Sequence, residues 1–79
     1  MLKSKLRVVL AQHEMTQAEL AERTNIRPQT ITNIVNNKIK QIPVDAVNKI
    51  CDLLDCNIGD IFDYDPNFIA EYAKEKKED

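Results

Sequence analysis

Residues 16–38 run Thr16-Gln17-Ala18-Glu19-Leu20-Ala21-Glu22-Arg23-Thr24-Asn25-Ile26-Arg27-Pro28-Gln29-Thr30-Ile31-Thr32-Asn33-Ile34-Val35-Asn36-Asn37-Lys38. They encode two short helices joined by a tight turn. Thr16 and Glu19 make a capping box, in which threonine and glutamate three apart satisfy each other's backbone donors at a helix start. The helix it opens spans 17–24 and turns Leu20, Ala21 and Thr24 inward. Asn25 follows, a residue that tolerates the left-handed conformation a sharp exit needs. Ile26 points back to the core. Pro28 then stands in a first turn, where its missing N–H costs nothing, and the next helix covers about 28–36. At 100° per residue, Ile31, Ile34 and Val35 share one arc. Gln29, Thr32, Asn33 and Asn36 share the opposite arc, with Thr30 on the flank. Asn36-Asn37-Lys38 is a stop signal.

The same reading extends outward in both directions. Leu2, Leu6, Val9, Leu10 and His13 recur at steps of three and four and predict a first helix over about 2–13. His13 is expected to be a boundary or semi-buried residue. Ile39-Lys40-Gln41-Ile42 is a connection. Pro43 opens a fourth helix, about 44–55, with Val44, Val47, Ile50, Cys51 and Leu54 as its apolar stripe. A short fifth helix, about 59–63, places Ile58, Ile61 and Phe62 on the core. No segment reads as a strand, so the fold class is all-α. Asp63-Tyr64-Asp65-Pro66 marks the end of the compact domain at about residue 65. Residues 66–79 form a charged tail whose first half carries Phe68, Ile69 and Tyr72 at helical spacing. Its last six residues are expected to be disordered.

The chain has 79 residues, room for one domain and one small core. Apolar residues make up 43% and charged residues 30%, with one glycine and no tryptophan. That suits a helical globular protein better than a turn-rich β-sandwich. Neither a membrane span, which needs about 20 apolar residues, nor a secretory signal is found, and a cytoplasmic protein is expected. Cys51 and Cys56 read as reduced thiols. With His13 alone they fall short of the four ligands a zinc site takes. Asp60, Asp63 and Asp65 lack the loop pattern and closing glutamate of a calcium site. No nucleophile–base set or glycine-rich phosphate loop is present, so neither an enzyme nor a cofactor is expected.

The net charge of −2 conceals an asymmetry. Residues 1–50 carry eight basic and four acidic side chains, and residues 51–79 carry three and nine. A basic front and an acidic back suit a polyanion on one side, although the pI of 5.3 is not that of a simple basic domain.

The 16–38 segment resembles the helix-turn-helix of the phage Cro/CI-repressor (xenobiotic-response-element-like) family. The marks are Thr16-Gln17-Ala18-Glu19-Leu20-Ala21, the turn residue Asn25, and apolar residues at 20, 26, 31 and 34. Total length and the ending Cys56-Asn57-Ile58-Gly59-Asp60-Ile61-Phe62 resemble the family's small stand-alone bacterial and prophage regulators. Asn25 stands where the family usually has glycine. Val35-Asn36-Asn37-Lys38 replaces its common Glu-Asn-Gly-Lys ending, and Asn37 can still take a left-handed cap.

The resemblance implies five lambda-repressor-like helices and a third helix lying in the DNA major groove. A base-reading helix needs an exposed hydrogen-bonding face backed by an apolar one, and the polar arc at 29–36 carries no acid that phosphate would repel. Gln29 and Asn33 are expected at base edges, with Thr30 and Thr32 beside them and Arg27 within reach of a phosphate or a guanine. Gln17 matches the family's phosphate-contacting glutamine. Asn36, Lys38 and Lys40 fit further backbone contacts, whereas Lys3, Lys5 and Arg7 are expected to add long-range attraction only, or simply solubility. The implied partner is double-stranded DNA carrying an inverted repeat, bound by a homodimer acting as a transcriptional repressor. The competing reading is an antitoxin- or antirepressor-like module holding another protein through Phe68, Ile69 and Tyr72.

Overall fold

The computed structural model describes residues 1–70 and 73. Its elements in chain order are β1 (Leu2–Ser4), α1 (Leu6–Gln12), α2 (Gln17–Thr24), α3 (Pro28–Val35), α4 (Val44–Leu54), α5 (Ile58–Ile61) and β2 (Phe62–Tyr64). Among the described residues five helices carry the fold, and a small two-stranded sheet pairs residues 2–4 with residues 62–64.

The core is one apolar cluster. Leu6, Leu20, Ile31, Ile34, Ile50 and Ile61 are fully buried, with Val9, Leu10, Val35, Val47, Leu54 and Phe62 around them. Burying a side chain of this size contributes about 1.5–3 kcal/mol. The six central residues come from five different helices, so each helix is pinned by at least one of them. α3 packs against α2 and α1, while α4 packs against α2.

Four of the helices end on a left-handed residue, and none of these is glycine: Glu14, Asn25, Asn37 and Asp55, with φ of 53–61°. At each exit an N–H reaches back five residues. Met15 bonds Leu10 O at 2.9 Å, Ile26 bonds Ala21 O at 3.2 Å, Lys38 bonds Asn33 O at 2.9 Å and Cys56 bonds Cys51 O at 3.1 Å. These bonds satisfy helix-end carbonyls. The two asparagines are the exits the sequence suggests. Glu14 is held there by the bond alone, and Asp55 shares asparagine's tolerance of the conformation.

The N-terminal helix expected over 2–13 begins only at Leu6. Leu2, Lys3 and Ser4 pair antiparallel with Tyr64, Asp63 and Phe62, so the helical fold class holds with one short two-stranded ladder as a minor addition. Leu2 is half-exposed, not on the helical stripe. Ser4 ends the strand: its Oγ accepts the Leu6 N–H at 3.2 Å, while its own N–H donates to Asn37 Oδ1 at 2.7 Å. His13 is exposed, with Nδ1 3.0 Å from the Val9 carbonyl, and does not reach the core. Val44 and Ile58 are also exposed. Val44 lies about 100° around α4 from the middle of the stripe formed by Ala46, Val47, Ile50 and Leu54. Cys51, on that stripe's margin, is half-buried. The fifth helix ends at Ile61 because Phe62 enters the sheet.

The chain does not leave the domain at Asp65. Asp65 N–H donates to the Met1 carbonyl at 3.0 Å, and the Met1 nitrogen donates to the Asp65 and Phe68 carbonyls at 2.7 and 3.3 Å. Lys3 Nζ sits 5.7 Å from the centre of the half-buried Phe68 ring. Ala70 is 2% exposed, and Ile69 is half-exposed. Residues 66–67 form a turn and residues 68–70 take no regular structure. Tyr72 and the last six residues lie outside the described residues.

Candidate DNA-binding surface

α2 is set first. Glu19 N–H donates to Thr16 Oγ1 at 3.0 Å, and Thr16 N–H donates to Glu19 Oε1 at 2.9 Å. The Thr16 backbone bond holds the Glu19 carboxyl below the usual range, with the Thr16 hydroxyl and Arg23 acting in the same direction. Thr24 Oγ1 closes the helix on the Leu20 carbonyl at 2.6 Å. Asn25 then turns the chain, and α3 starts at Pro28 behind an extended Arg27.

α3 divides as its sequence predicts. Ile31, Ile34 and Val35 are buried, Gln29 and Asn36 are exposed, and Thr30, Thr32 and Asn33 are half-exposed. Gln29 Nε2 donates to Asn33 Oδ1 at 2.9 Å. Thr32 Oγ1 donates to Gln17 Oε1 at 3.4 Å, tying the start of α2 to the polar face of α3. Gln17, Gln29, Thr32 and Asn33 therefore form one hydrogen-bonding surface. Arg27 is exposed where that surface begins.

Beyond it, Asn37 is left-handed, Lys38 N–H bonds Asn33 O, and Asn37 N–H bonds Ile34 O at 3.2 Å. The pair of bonds is the motif that lets a chain leave a helix in a fixed direction. Lys38 and Lys40 are exposed on the exit. Asn36 is exposed, and its Oδ1 accepts from Arg7 Nη2 at 3.3 Å. Arg7 thus belongs to this surface. Sequence spacing has no signal for it, since 29 residues separate the two partners.

The rest of the molecule offers little competing chemistry. Burial raises the Cys56 thiol to about 11, with Cys51 beside it acting in the same direction. It therefore stays protonated at neutral pH and is a poor nucleophile. Among the described residues no group of three or more His, Cys, Asp or Glu could hold a metal ion. Among them too, no helix is long and apolar enough to cross a membrane.

Two helices crossing at a tight turn, the second carrying an uncharged hydrogen-bonding face, make a helix-turn-helix DNA-binding protein. Comparison with known families agrees: residues 5–67 match the Cro/C1-type HTH DNA-binding domain. The chain belongs to that family and is a small helix-turn-helix regulator of the Cro/CI type. It is similar to the uncharacterized HTH-type transcriptional regulator YozG of Bacillus subtilis (strain 168), with 34% identity over 71 residues covering 90% of this chain and 84% of YozG.

Proposed function

We propose that the protein is a transcriptional repressor that reads a specific duplex site by laying α3 in the major groove. The observation that carries this reading is the polar face of α3, which lacks charge and is bonded to Gln17. An idle solvated face would more often carry Glu and Lys. Gln29 and Asn33 make the base contacts, flanked by Thr30, Thr32 and Arg27. With Asn33 Oδ1 taken by one Gln29 N–H, Gln29 keeps its Oε1 and a second N–H, the donor–acceptor pair that matches adenine N6 and N7. Asn33 keeps its two N–H donors for an acceptor on a neighbouring base. Gln17, Asn36, Lys38 and Lys40 contact phosphates and fix the register.

A single domain of this size reads roughly 4–6 base pairs, too few for a unique site, so a homodimer on an inverted repeat completes the recognition. Occupancy of a promoter then suffices for repression, in the cytoplasm where bacterial DNA lies. The described part of the tail supports this reading over a protein-holding module, because Phe68 and Ala70 are packed within the chain itself. The test is selection of sites from random duplex DNA at near-physiological salt. An enriched inverted repeat with half-site centres about 34 Å apart is expected. No enrichment from folded protein would overturn the proposal.

A further inference from the structure

We infer that Arg7 and Asn36 together form an anchor for one phosphate of the DNA backbone at the C-terminal end of α3. This rests on the reading of α3 as the DNA-facing helix and adds a residue of α1 to the interface.

Chemistry supplies the first argument. Asn36 Oδ1 is engaged by Arg7 Nη2 at 3.3 Å. Asn36 is left with its two amide N–H donors and one lone pair of Oδ1. The guanidinium beside it has only donors. The two side chains make a donor-rich cluster. Phosphate oxygens are acceptors only, and so is the major-groove edge of guanine, so placement decides between them. The cluster lies at the exit of α3, off the Gln29–Asn33 face, where the backbone is the partner, and a phosphate contact carries no information about sequence. Among the described residues the side-chain partner of Arg7 is an amide and not a carboxylate, so no ion pair there offsets its charge.

Placement supplies the second. Arg7 follows the fully buried Leu6, which fixes the start of α1. One residue beyond Asn36, Asn37 Oδ1 receives the Ser4 N–H at 2.7 Å. The α1 start and the α3 exit are thus joined twice, at Ser4–Asn37 and at Arg7–Asn36. Both side chains are exposed on that joint, next to the exposed Lys38. Gln17 lies against Thr32, within α3, so Arg7 and Asn36 reach a different part of the backbone, beyond the helix end.

A cation near a helix C-terminus is also favoured by the helix dipole alone, so the test separates the two roles. The full chain is titrated with a mixed-sequence duplex and with the duplex enriched by selection, across about 50 to 200 mM salt. Arg7→Gln should weaken both duplexes by the same factor and reduce the slope of log affinity against log salt by about 0.9. Over that range the gap from wild type then narrows about 3.5-fold. Arg7→Lys should retain most of the slope. Asn36→Asp, which keeps an acceptor for Arg7 but loses the donors and cancels the charge, should bind both duplexes more weakly. A changed melting temperature with an unchanged slope in Arg7→Gln would overturn the inference and leave Arg7 as a helix-end residue. If Lys38→Ala lowers the slope and Arg7→Gln does not, this inference alone falls. If wild type binds neither duplex, the reading of α3 falls with it.

Discussion

Replacing Gln29 with alanine separates recognition from folding. In the free protein Gln29 is exposed and its amide donates to Asn33 Oδ1 at 2.9 Å. An exposed polar pair four residues apart on a helix is worth about 0.2–0.5 kcal/mol. Alanine's better helix propensity offsets part of that loss. Stability should therefore change by less than about 0.5 kcal/mol, a shift of at most about 2–4 °C for a domain of this size. In the proposed reading the same side chain supplies a bidentate base contact on DNA, and removing such a contact costs about 1–3 kcal/mol. Affinity for the selected site should fall about 5- to 150-fold, while a mixed-sequence duplex should be bound as before. Fluorescence anisotropy on both duplexes, with a thermal melt, measures all three quantities. The bond to Asn33 adds a sharper requirement. Gln29→Ala and Asn33→Ala should be non-additive on the selected site, with a coupling of about 0.5 kcal/mol or more. Equal losses on both duplexes would refute base reading by Gln29. Strict additivity would refute the shared amide geometry.

Ile31→Ala should destabilise the domain by about 2–5 kcal/mol in urea unfolding, since it empties a fully buried site between α3 and the core; a change under about 1 kcal/mol would mean that the faces of α3 are reversed. Glu14→Gly should raise stability by about 0.5–1 kcal/mol, because glycine adopts the φ of 53° without the Cβ penalty, and a loss on thermal denaturation would contradict this. Acid should weaken the start of α2. The Glu19 carboxyl titrates below its ordinary 4.5 in the folded protein, so the folded state binds fewer protons there. Its contribution is complete above 4.5 and is lost as pH falls through the lowered value. The stability difference between wild type and Glu19→Gln should shrink on acidification, and a pH-independent difference would count against the capping bond.

Local signals in the sequence carried the helix-turn-helix. The Thr16–Glu19 box acts over three residues, and the two faces of α3 are set by its own periodicity. Asn25 and Asn37 could be assigned left-handed exits because asparagine tolerates that conformation. Glu14 adopts it too, imposed by the bond from Met15 to the preceding helix, which no residue preference announces, whereas Asp55 has the same tolerance as asparagine. The sheet was hidden for another reason. β1 and β2 have three residues each, too few for an alternating pattern, and their partners are about 60 positions apart. Leu2 and Leu6, four apart, fit a helix equally well until Phe62-Asp63-Tyr64 is brought alongside. The site follows the same division. Each amide and hydroxyl of α3 was visible singly, and so was the Gln29–Asn33 spacing, but the Gln17–Thr32 and Arg7–Asn36 bonds exist only once α1, α2 and α3 have packed.

A chain of net charge −2 can still bind a polyanion. Of the thirteen acids, nine lie from Asp52 onward, beginning on α4. α3 itself carries no charge, and the cations nearest to it in sequence or by hydrogen bond are Arg27, Lys38 and Arg7. At physiological salt the Debye length is about 8 Å, so an acid farther than that from a phosphate repels it weakly. Donors in direct contact act undiminished. The total charge therefore sets solubility and the long-range approach, while affinity is set by the few groups that touch the backbone. Adding negative charge on α4 should slow association at low salt yet leave the salt slope unchanged, whereas removing one contacting cation should change the slope itself. Slope and rate measured on the same variants separate the field of the whole protein from the contacts of its surface.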